Sequence, residues 1–224
     1  MDTYTLIRSN RKTAAIHIIN ARVEVRVPHC MPQEDIDLFL YKKEQWIREK
    51  LAIQQQHITN KSTFEIDYGS NILILGKDYP IVVRNGIKAG FDGNELYMPP
   101  GMSPTEIKDM CKKIYRGIAK KHLPNRVAVF AQQMGIAPTA IKITSAKTRW
   151  GSCSNRKSIN FSWRLIMADD NTIDYVVVHE LAHLKEMNHS LRFWAVVQSI
   201  LPDYKQRQQS LKTLQRRIAG ENWD

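Results

Sequence analysis

The sequence predicts an α+β protein with two lobes, on three observations. The first hundred residues alternate apolar and polar side chains as half-buried strands do, most clearly in RVEVRV, where every second residue is a valine. Within that part, residues 32–56 instead repeat their apolar side chains at helical spacing. Beyond residue 101, helical periodicity predominates. We therefore expect a β-rich N-terminal lobe containing one long helix, residues 1–100, and a second lobe, residues 101–224, built mainly of helices.

The N-terminal lobe is expected to contain six short strands around its helix. Three precede the helix, namely TYTLIR, AAIHII and RVEVRV, and three follow it, namely NILIL, YPIVVR and ELYM. The pairs Asn85-Gly86 and Asp92-Gly93 favour tight turns between the later strands. The stretch MPPGMSP, residues 98–104, has the composition of a linker, so it marks the boundary between the lobes.

The C-terminal lobe is expected to begin with a lysine-rich helix. Ser103 is a suitable N-cap for it, and Pro104 suits the first helical position. Pro124 is expected to interrupt or kink this helix, and Gly135 to end it. Two short strands, AIKIT and SINFSW, then flank the segment KTRWGSCSNRK. A helix containing VVVHELAH follows, and the last predicted helix is basic and amphipathic.

Composition and charge exclude several classes of protein. Hydrophobic residues make up 43% of the chain and charged residues 25%, as in globular rather than disordered or fibrous proteins. No apolar run approaches the roughly 20 residues that span a bilayer, and the first residues show no signal-peptide core, so no membrane association is expected. The three cysteines, Cys30, Cys111 and Cys153, are odd in number and widely spaced, which favours the reducing cytoplasm. The net charge of +11 favours anionic partners or a solvated basic surface.

The segment HELAH, residues 179–183, is the clearest chemical motif. On a helix, His179 and His183 lie one turn apart on the same face, so both can reach one ion at the ~2.0–2.1 Å that zinc requires. Glu180 is rotated about 100° from that face and can lean over the open position of the metal as a general base. The motif therefore predicts a zinc site that still needs a third protein ligand.

Two residues could supply the third zinc ligand. Glu186 would face the same side of an unbroken helix as His179, but the seven residues between them span about 10 Å along the axis. His189 can swing back if the helix ends first, and Asn188 tolerates the left-handed conformation that closes a helix. We therefore expect His179, His183 and His189 as ligands. The competing interpretation is a helix whose histidines only form hydrogen bonds in the core.

Longer stretches of the sequence extend this motif into a family resemblance. RWGSCS (149–154), INFSWRL (159–165) and IDYVVVHELAHLKEMNHSLRFW (173–194) resemble the signature of the YgjP-like metal-dependent hydrolases, which group with the SprT-like and WLM-type zincin metallopeptidases. SNRKTAAIHI, VEVRVP, KKEQWIREKL and LGKDYPIVV are similar to the N-terminal half of that family, so the resemblance spans nearly the whole chain. Metzincins carry a glycine where this sequence has Glu186, so the resemblance does not extend to them.

The resemblance implies a zincin-like catalytic lobe that contains the HExxH helix. It also implies Zn²⁺ as the cofactor, with Glu180 as the catalytic glutamate and the three histidines of the motif as ligands. An edge strand that pairs with an extended substrate is general among zincins, and residues 158–163 are the candidate for it. The alternative for this strand is an internal position that serves only the fold.

Other residues are candidates to assist the proposed zinc site. Arg149, Arg164 and Tyr175 are candidates to stabilise the oxyanion of the transition state, and the sequence does not choose among them. Each could instead form a salt bridge or pack as a buried phenol. Cys153 is expected near the site, either as an inert thiol or as a thiolate that would occupy the fourth zinc position.

Three functions are compatible with these observations. The first is a zinc metallopeptidase that cleaves polypeptides. The second is a metal-dependent hydrolase of nucleoside triphosphates or another anionic substrate, although the sequence lacks a GxxxxGK[ST] loop and a carboxylate cluster for Mg²⁺. The third is a nucleic-acid-associated module with structural zinc, whose last helix would contact phosphates through Lys205, Arg207, Lys212, Arg216 and Arg217. The glutamate of HELAH favours the peptidase, because a structural zinc site would not need it.

Overall fold

The computed structural model describes residues 3–86 and 88–223, which form two compact units. The first unit consists of residues 3–64 together with Ile218–Asn222, and the second of Glu65–Arg217 together with Trp223. Both units contain helices and small sheets, so the α+β class is confirmed. The lobe boundary expected between residues 100 and 101 stays a prediction.

In the first unit, a three-stranded sheet shares one core with two helices. The elements are β1 (Tyr4–Ser9), β2 (Ala15–Ile19), β3 (Arg22–Pro28), α1 (Gln33–Lys42), α2 (Glu44–Ser62) and a short 3-10 helix (Ile218–Gly220). The central strand β3 pairs parallel with β1 and antiparallel with β2. The alternate valines of β3 are buried as their spacing predicts, and they form one cluster with Ile36 and Leu40 of α1 and Ile47 of α2.

The single long helix expected in this unit is two helices, because the chain leaves the helical conformation at Lys43. This residue has φ −110° and ψ 5°, and its amide donates to the carbonyl of Leu40, three residues back, at 3.0 Å. The sequence has no proline or glycine at this position, so apolar periodicity alone could not reveal the break.

The second unit contains two sheets and the remaining described helices. Its strands are β4 (Asn71–Ile74), β5 (Lys77–Val83), β6 (Gly90–Phe91), β7 (Leu96–Met98), β8 (Ala140–Thr144), β9 (Gly151–Cys153) and β10 (Ser158–Ser162). Its helices are α3 (Pro104–Met134), a short 3-10 helix (Trp163–Met167), α4 (Asp170–Ala182), α5 (Leu191–Ile200) and α6 (Tyr204–Arg217). The strand orders are β4-β5-β7-β6 and β8-β10-β9. Among the helices of both units, no described one has an apolar stretch long enough to cross a membrane.

The long helix α3 begins and ends where its sequence predicts. The hydroxyl of Ser103 accepts from the amide of Glu106, and the carboxylate of Glu106 accepts from the amide of Ser103 at 2.8 Å, which completes a capping box. Gly135 ends the helix in the left-handed conformation, with φ 63°. The interruption predicted at Pro124 is wrong, because α3 continues through this residue. The buried side chains on both sides of Pro124 offset the loss of one main-chain hydrogen bond.

The strand expected at a sheet edge is instead the central strand of its sheet. β10 pairs parallel with β8 on one side and antiparallel with β9 on the other, so both of its edges are occupied. The edge strands of this sheet are β8 and β9, and β9 comes from the WGSCS segment where we predicted no strand. A three-residue strand is too short to show a periodicity, and its pairing depends on residues distant in sequence.

Three contacts fix α4, the helix that carries the HELAH motif. Asp169 caps it by accepting from the amide of Thr172 at 2.7 Å. Arg126 of α3 donates two hydrogen bonds to Asp174 of α4, through Nε and Nη2, both at 2.7 Å. Arg207 of α6 lies 3.7 Å from the same carboxylate. Because Asp174 is only 6% exposed, burying its carboxylate is costly, and the attraction of these two arginines offsets that cost.

Replacing Arg126 by alanine should lower the free energy of unfolding by about 2–4 kcal/mol, because the buried carboxylate of Asp174 would keep only the more distant Arg207. Lys121→Ala removes an exposed cation from the same helix and should change the free energy by less than about 0.5 kcal/mol. Urea denaturation of the two variants measures both values. Equal stability of Arg126→Ala and wild type would contradict the anchoring role of this ion pair.

Candidate metal centre

Three histidine side chains converge at the end of α4. His179 lies in the last turn of the helix, and the helix ends at His183. The chain then turns back, so His189 reaches the same place from the loop before α5. One ligand atom from each residue lies within 4.8 Å of the other two, and Nε2 of His179 is 3.1 Å from Nε2 of His189.

The closest pair of these nitrogens has the spacing of two ligands on a tetrahedral metal ion. Zinc binds imidazole nitrogens at ~2.0–2.1 Å, and two such nitrogens at a tetrahedral angle lie about 3.3 Å apart. The observed 3.1 Å between His179 and His189 is close to that value. A hydrogen bond between two imidazoles would account for that pair alone, whereas one shared ion accounts for the convergence of all three rings.

The ring of His183 is oriented by the main chain of Glu186 rather than by its side chain. Nδ1 of His183 lies 3.2 Å from the carbonyl oxygen of Glu186. Because a carbonyl oxygen only accepts hydrogen bonds, Nδ1 carries the proton, and Nε2 keeps its lone pair for a metal ion. The main chain of Glu186 therefore orients the ring of His183, whereas the side chain of Glu186 is not part of the histidine cluster.

The turn that returns the chain to this site differs from the expected one. Asn188 is not among the described residues with positive φ, so it does not close the helix in the left-handed conformation. The last turn of α4 is instead tightened by a bond from the amide of Lys185 to the carbonyl of Ala182, at 3.0 Å. Ser190 then starts α5, with its hydroxyl accepting from the amide of Phe193 at 3.3 Å.

Phe193 packs against all three histidines. Its ring centroid lies 4.9 Å from that of His179, 4.6 Å from that of His183 and 4.8 Å from that of His189. Since Phe193 is fully buried, it forms an apolar wall that restricts the three rings and excludes water from one side. Nδ1 of His179 is buried without a hydrogen-bond partner among the described residues, so packing sets the orientation of this ring.

Burial favours the neutral imidazoles of His179 and His183, which is the form that binds a metal. It lowers the pKa of His179 to about 3, and the charges of His183 and His189 add to this effect. Burial also lowers the pKa of His183, against the opposing effect of the carbonyl of Glu186. At neutral pH these two residues therefore offer lone pairs rather than positive charge.

Glu180, next to the first histidine, is the buried acid of the site. It is 5% exposed, and burial raises the pKa of its carboxyl to about 7, against the opposing charge of Arg149. The side chain lies directly against Gly151 of β9, where an added Cβ would be 2.5 Å from Oε1 of Glu180. On the same strand, burial and then the charge of Glu180 raise the pKa of the Cys153 thiol, which disfavours the thiolate form.

The three residues considered for oxyanion stabilisation occupy different places. Arg149 is exposed in the loop before β9. Tyr175 is buried one turn before the first histidine, with 5.9 Å between the ring centroids, and burial raises the pKa of its phenol. Arg164 donates to the carbonyl of Ser145 at 3.1 Å and lies over the ring of Trp163. The catalytic roles of these three residues stay predictions.

Two features of the site were not predicted from the sequence. The first is the contact of Gly151 with the buried acid, for which the glycine within RWGSCS was the available signal, since glycine in a strand often marks a close approach. The second is the contact of Phe193 with three imidazoles. No signal in the sequence reveals it, because it depends on the path of the loop that returns His189 to the helix.

Comparison with known proteins places the chain in a family. It matches the family model described as YgjP-like, metallopeptidase domain, over residues 12–214, whereas no curated protein sequence matches it. It is similar to the solved metallopeptidase zymogen abylysin of Pyrococcus abyssi, with 19% identity, a TM-score of 0.39 and coverage of 45% of this chain and 97% of that chain. It is also similar to the metallopeptidase zymogen jannalysin of Methanocaldococcus jannaschii, with 22% identity, a TM-score of 0.37 and coverage of 43% and 97%. Because the family match extends over most of its length, the chain belongs to the YgjP-like metallopeptidase-domain family.

Proposed function

We propose that this protein is a zinc-dependent peptidase with a zincin-like site, in which His179, His183 and His189 hold the metal and Glu180 is the general base. Membership of a metallopeptidase family supports the reaction class. The observation that carries the site is the convergence of three imidazoles within 4.8 Å, next to one buried carboxylate. Three imidazoles leave the charge of zinc undiminished and one coordination position open, as in catalytic sites. These nitrogen ligands suit zinc better than Ca²⁺ or Mg²⁺, which prefer oxygen.

The chemistry divides between the metal and Glu180. Zinc supplies a Lewis acid and lowers the pKa of a bound water from 15.7 to about 7. Glu180 accepts the proton of the attacking water on a carboxylate oxygen and then donates it to the nitrogen of the leaving amine. A carboxyl with a pKa of about 7 is suited to both transfers near neutral pH. Arg149, Arg164 and Tyr175 remain the candidates for a donor to the developing oxyanion.

The free edge of β9 is the element best suited to hold a peptide substrate. Among the described strands, β9 pairs only with β10, and its first residue, Gly151, contacts Glu180. An extended peptide added along this edge would be held by main-chain hydrogen bonds, with its scissile bond close to the base. This assignment replaces β10, whose two edges are both paired.

Neither alternative function is favoured. Family membership supports peptides rather than nucleoside triphosphates as substrates, and a purely structural zinc site would leave Glu180 without a role. In the basic helix α6, Arg207 pairs with Asp203 and Arg217 pairs with Asp78, so two of its cations are already engaged within the protein. Nucleic-acid association and a cytoplasmic location stay predictions.

Glu180→Gln should retain zinc but lose about 100-fold or more in kcat on an unfolded protein substrate, because an amide cannot accept the proton of the attacking water. His183→Ala should lose both zinc and activity. The measurements are metal content of the purified variants and hydrolysis rate under the same conditions. His122→Ala, which alters a histidine paired with Asp170 on the surface, is the matched control and should keep both properties.

Two results would contradict this proposal. Full activity in Glu180→Gln would exclude this carboxylate as the base. Undiminished zinc content in His183→Ala would exclude this imidazole as a ligand.

Gly151→Ala should lower kcat by about tenfold or more while the metal content stays unchanged. The new methyl group would overlap the carboxylate of Glu180 and displace the base without touching the three histidines. Gly117→Ala adds a methyl group at an exposed helical position with no atom within 4 Å, so it should leave kcat unchanged. Steady-state kinetics and metal analysis of both variants test this prediction. A wild-type kcat in Gly151→Ala would exclude the positioning role of this glycine.

A further inference from the structure

A polar cleft of about 420 Å³ opens on one face of the β8-β10-β9 sheet. The strand register pairs Ser162 with Thr144 and Asn160 with Ser152, and all four residues line the cleft. Because side chains alternate along a strand and paired residues share a face, these four polar side chains lie on the same side of the sheet. Arg149, from the loop before β9, also lines the cleft.

The cleft contains donors that the protein itself does not use. Two of its hydroxyls donate to main-chain carbonyls. The hydroxyl of Ser152, in contrast, accepts from the amide of Asn160 at 3.3 Å and has no acceptor among the described residues for its own proton. Arg149 is exposed and forms no hydrogen bond or ion pair with any residue that the structure describes. No carboxylate is among the described residues that line the cleft, and the charge of Arg149 is opposed only from outside this lining, by the buried Glu180.

Gly151 connects this cleft to the catalytic group. It lines the cleft, and the position of its missing Cβ lies against Oε1 of Glu180. A peptide added to the free edge of β9 would direct every second side chain towards the face that carries Ser152. A group bound in the cleft would therefore lie about one or two residues from the peptide bond that faces Glu180.

We infer that this cleft binds a carboxylate of the peptide substrate and that Arg149 determines this specificity, an inference that rests on the proposed peptidase function. A guanidinium and a free hydroxyl proton are the donors that a carboxylate requires. The carboxylate can come from an aspartate or glutamate side chain or from the C-terminus of the substrate, since both present the same two oxygens. In this role Arg149 positions the substrate, so the inference removes it from the three candidates for the oxyanion donor and leaves Arg164 and Tyr175.

The test compares kcat/KM for peptides based on one that the wild type cleaves. Each position near the scissile bond carries Glu, Gln or Lys in turn, and each peptide is made with a free and an amidated C-terminus. We expect wild type to prefer Glu over Gln by about five- to tenfold if a side chain occupies the cleft, or the free acid over the amide if the C-terminus does. Arg149→Gln should reduce the preference to about one, and Arg149→Glu should reverse it in favour of Lys.

Arg156→Gln is the matched control, because Arg156 is an exposed arginine between β9 and β10 that does not line the cleft. This variant should keep the preference of wild type.

Metal-dependent cleavage without a preference, or a preference that survives in Arg149→Gln, would overturn the inference and leave the proposed function intact. An equal loss on every peptide would also overturn it, because an oxyanion donor behaves in that way. No metal-dependent cleavage of any peptide by wild type would overturn the proposed function itself.

Discussion

The valines at 176–178 are buried in the core, and they carry His179 and Glu180 with them into a region where charge is disfavoured. Removal from water lowers the pKa of the histidine to about 3 and raises that of the glutamate to about 7. A single physical cause thus suits both residues to their proposed roles, the histidine as a neutral ligand and the glutamate as a base near neutral pH. The same burial is costly, because polar atoms such as Nδ1 of His179 lack a partner among the described residues. Stability has to come from contacts elsewhere on the helix, among them the two-hydrogen-bond ion pair of Arg126 with Asp174.

The site also depends on two segments that approach α4 separately. The loop after the helix returns His189 to the other two histidines, and Phe193 then packs against all three rings. Strand β9 approaches the neighbouring side of the helix, where the missing side chain of Gly151 leaves room for the carboxylate of Glu180. The proposed ligands and the proposed base are therefore held by different neighbours. Under the proposed function, changes in β9 alter the base and the substrate contacts without altering the ligands.

Local features of the structure could be predicted from the sequence, and features that depend on distant contacts could not. The ends of α3 follow from Ser103 and Gly135, whose capping chemistry acts within a few residues. The proximity of His179 and His183 follows from helix geometry in the same way, whereas His189 reaches them through a loop whose turn differs from the one predicted at Asn188. The break at Lys43 carries no local signal, and the edge position of β9 is decided by pairing with a strand that lies beyond a turn. The contact of Gly151 with the buried acid joins residues 29 positions apart, which no periodicity reports.

X-ray absorption at the zinc edge of the zinc-loaded protein measures the ligand set directly. Three imidazole nitrogens at about 2.0–2.1 Å and one additional oxygen or nitrogen ligand are the expected result, because His179, His183 and His189 are the only protein ligands proposed. A sulfur neighbour at about 2.3 Å would place Cys153 on the metal and contradict this assignment. Fewer than three imidazoles, with a carboxylate in place of the third, would contradict it as well.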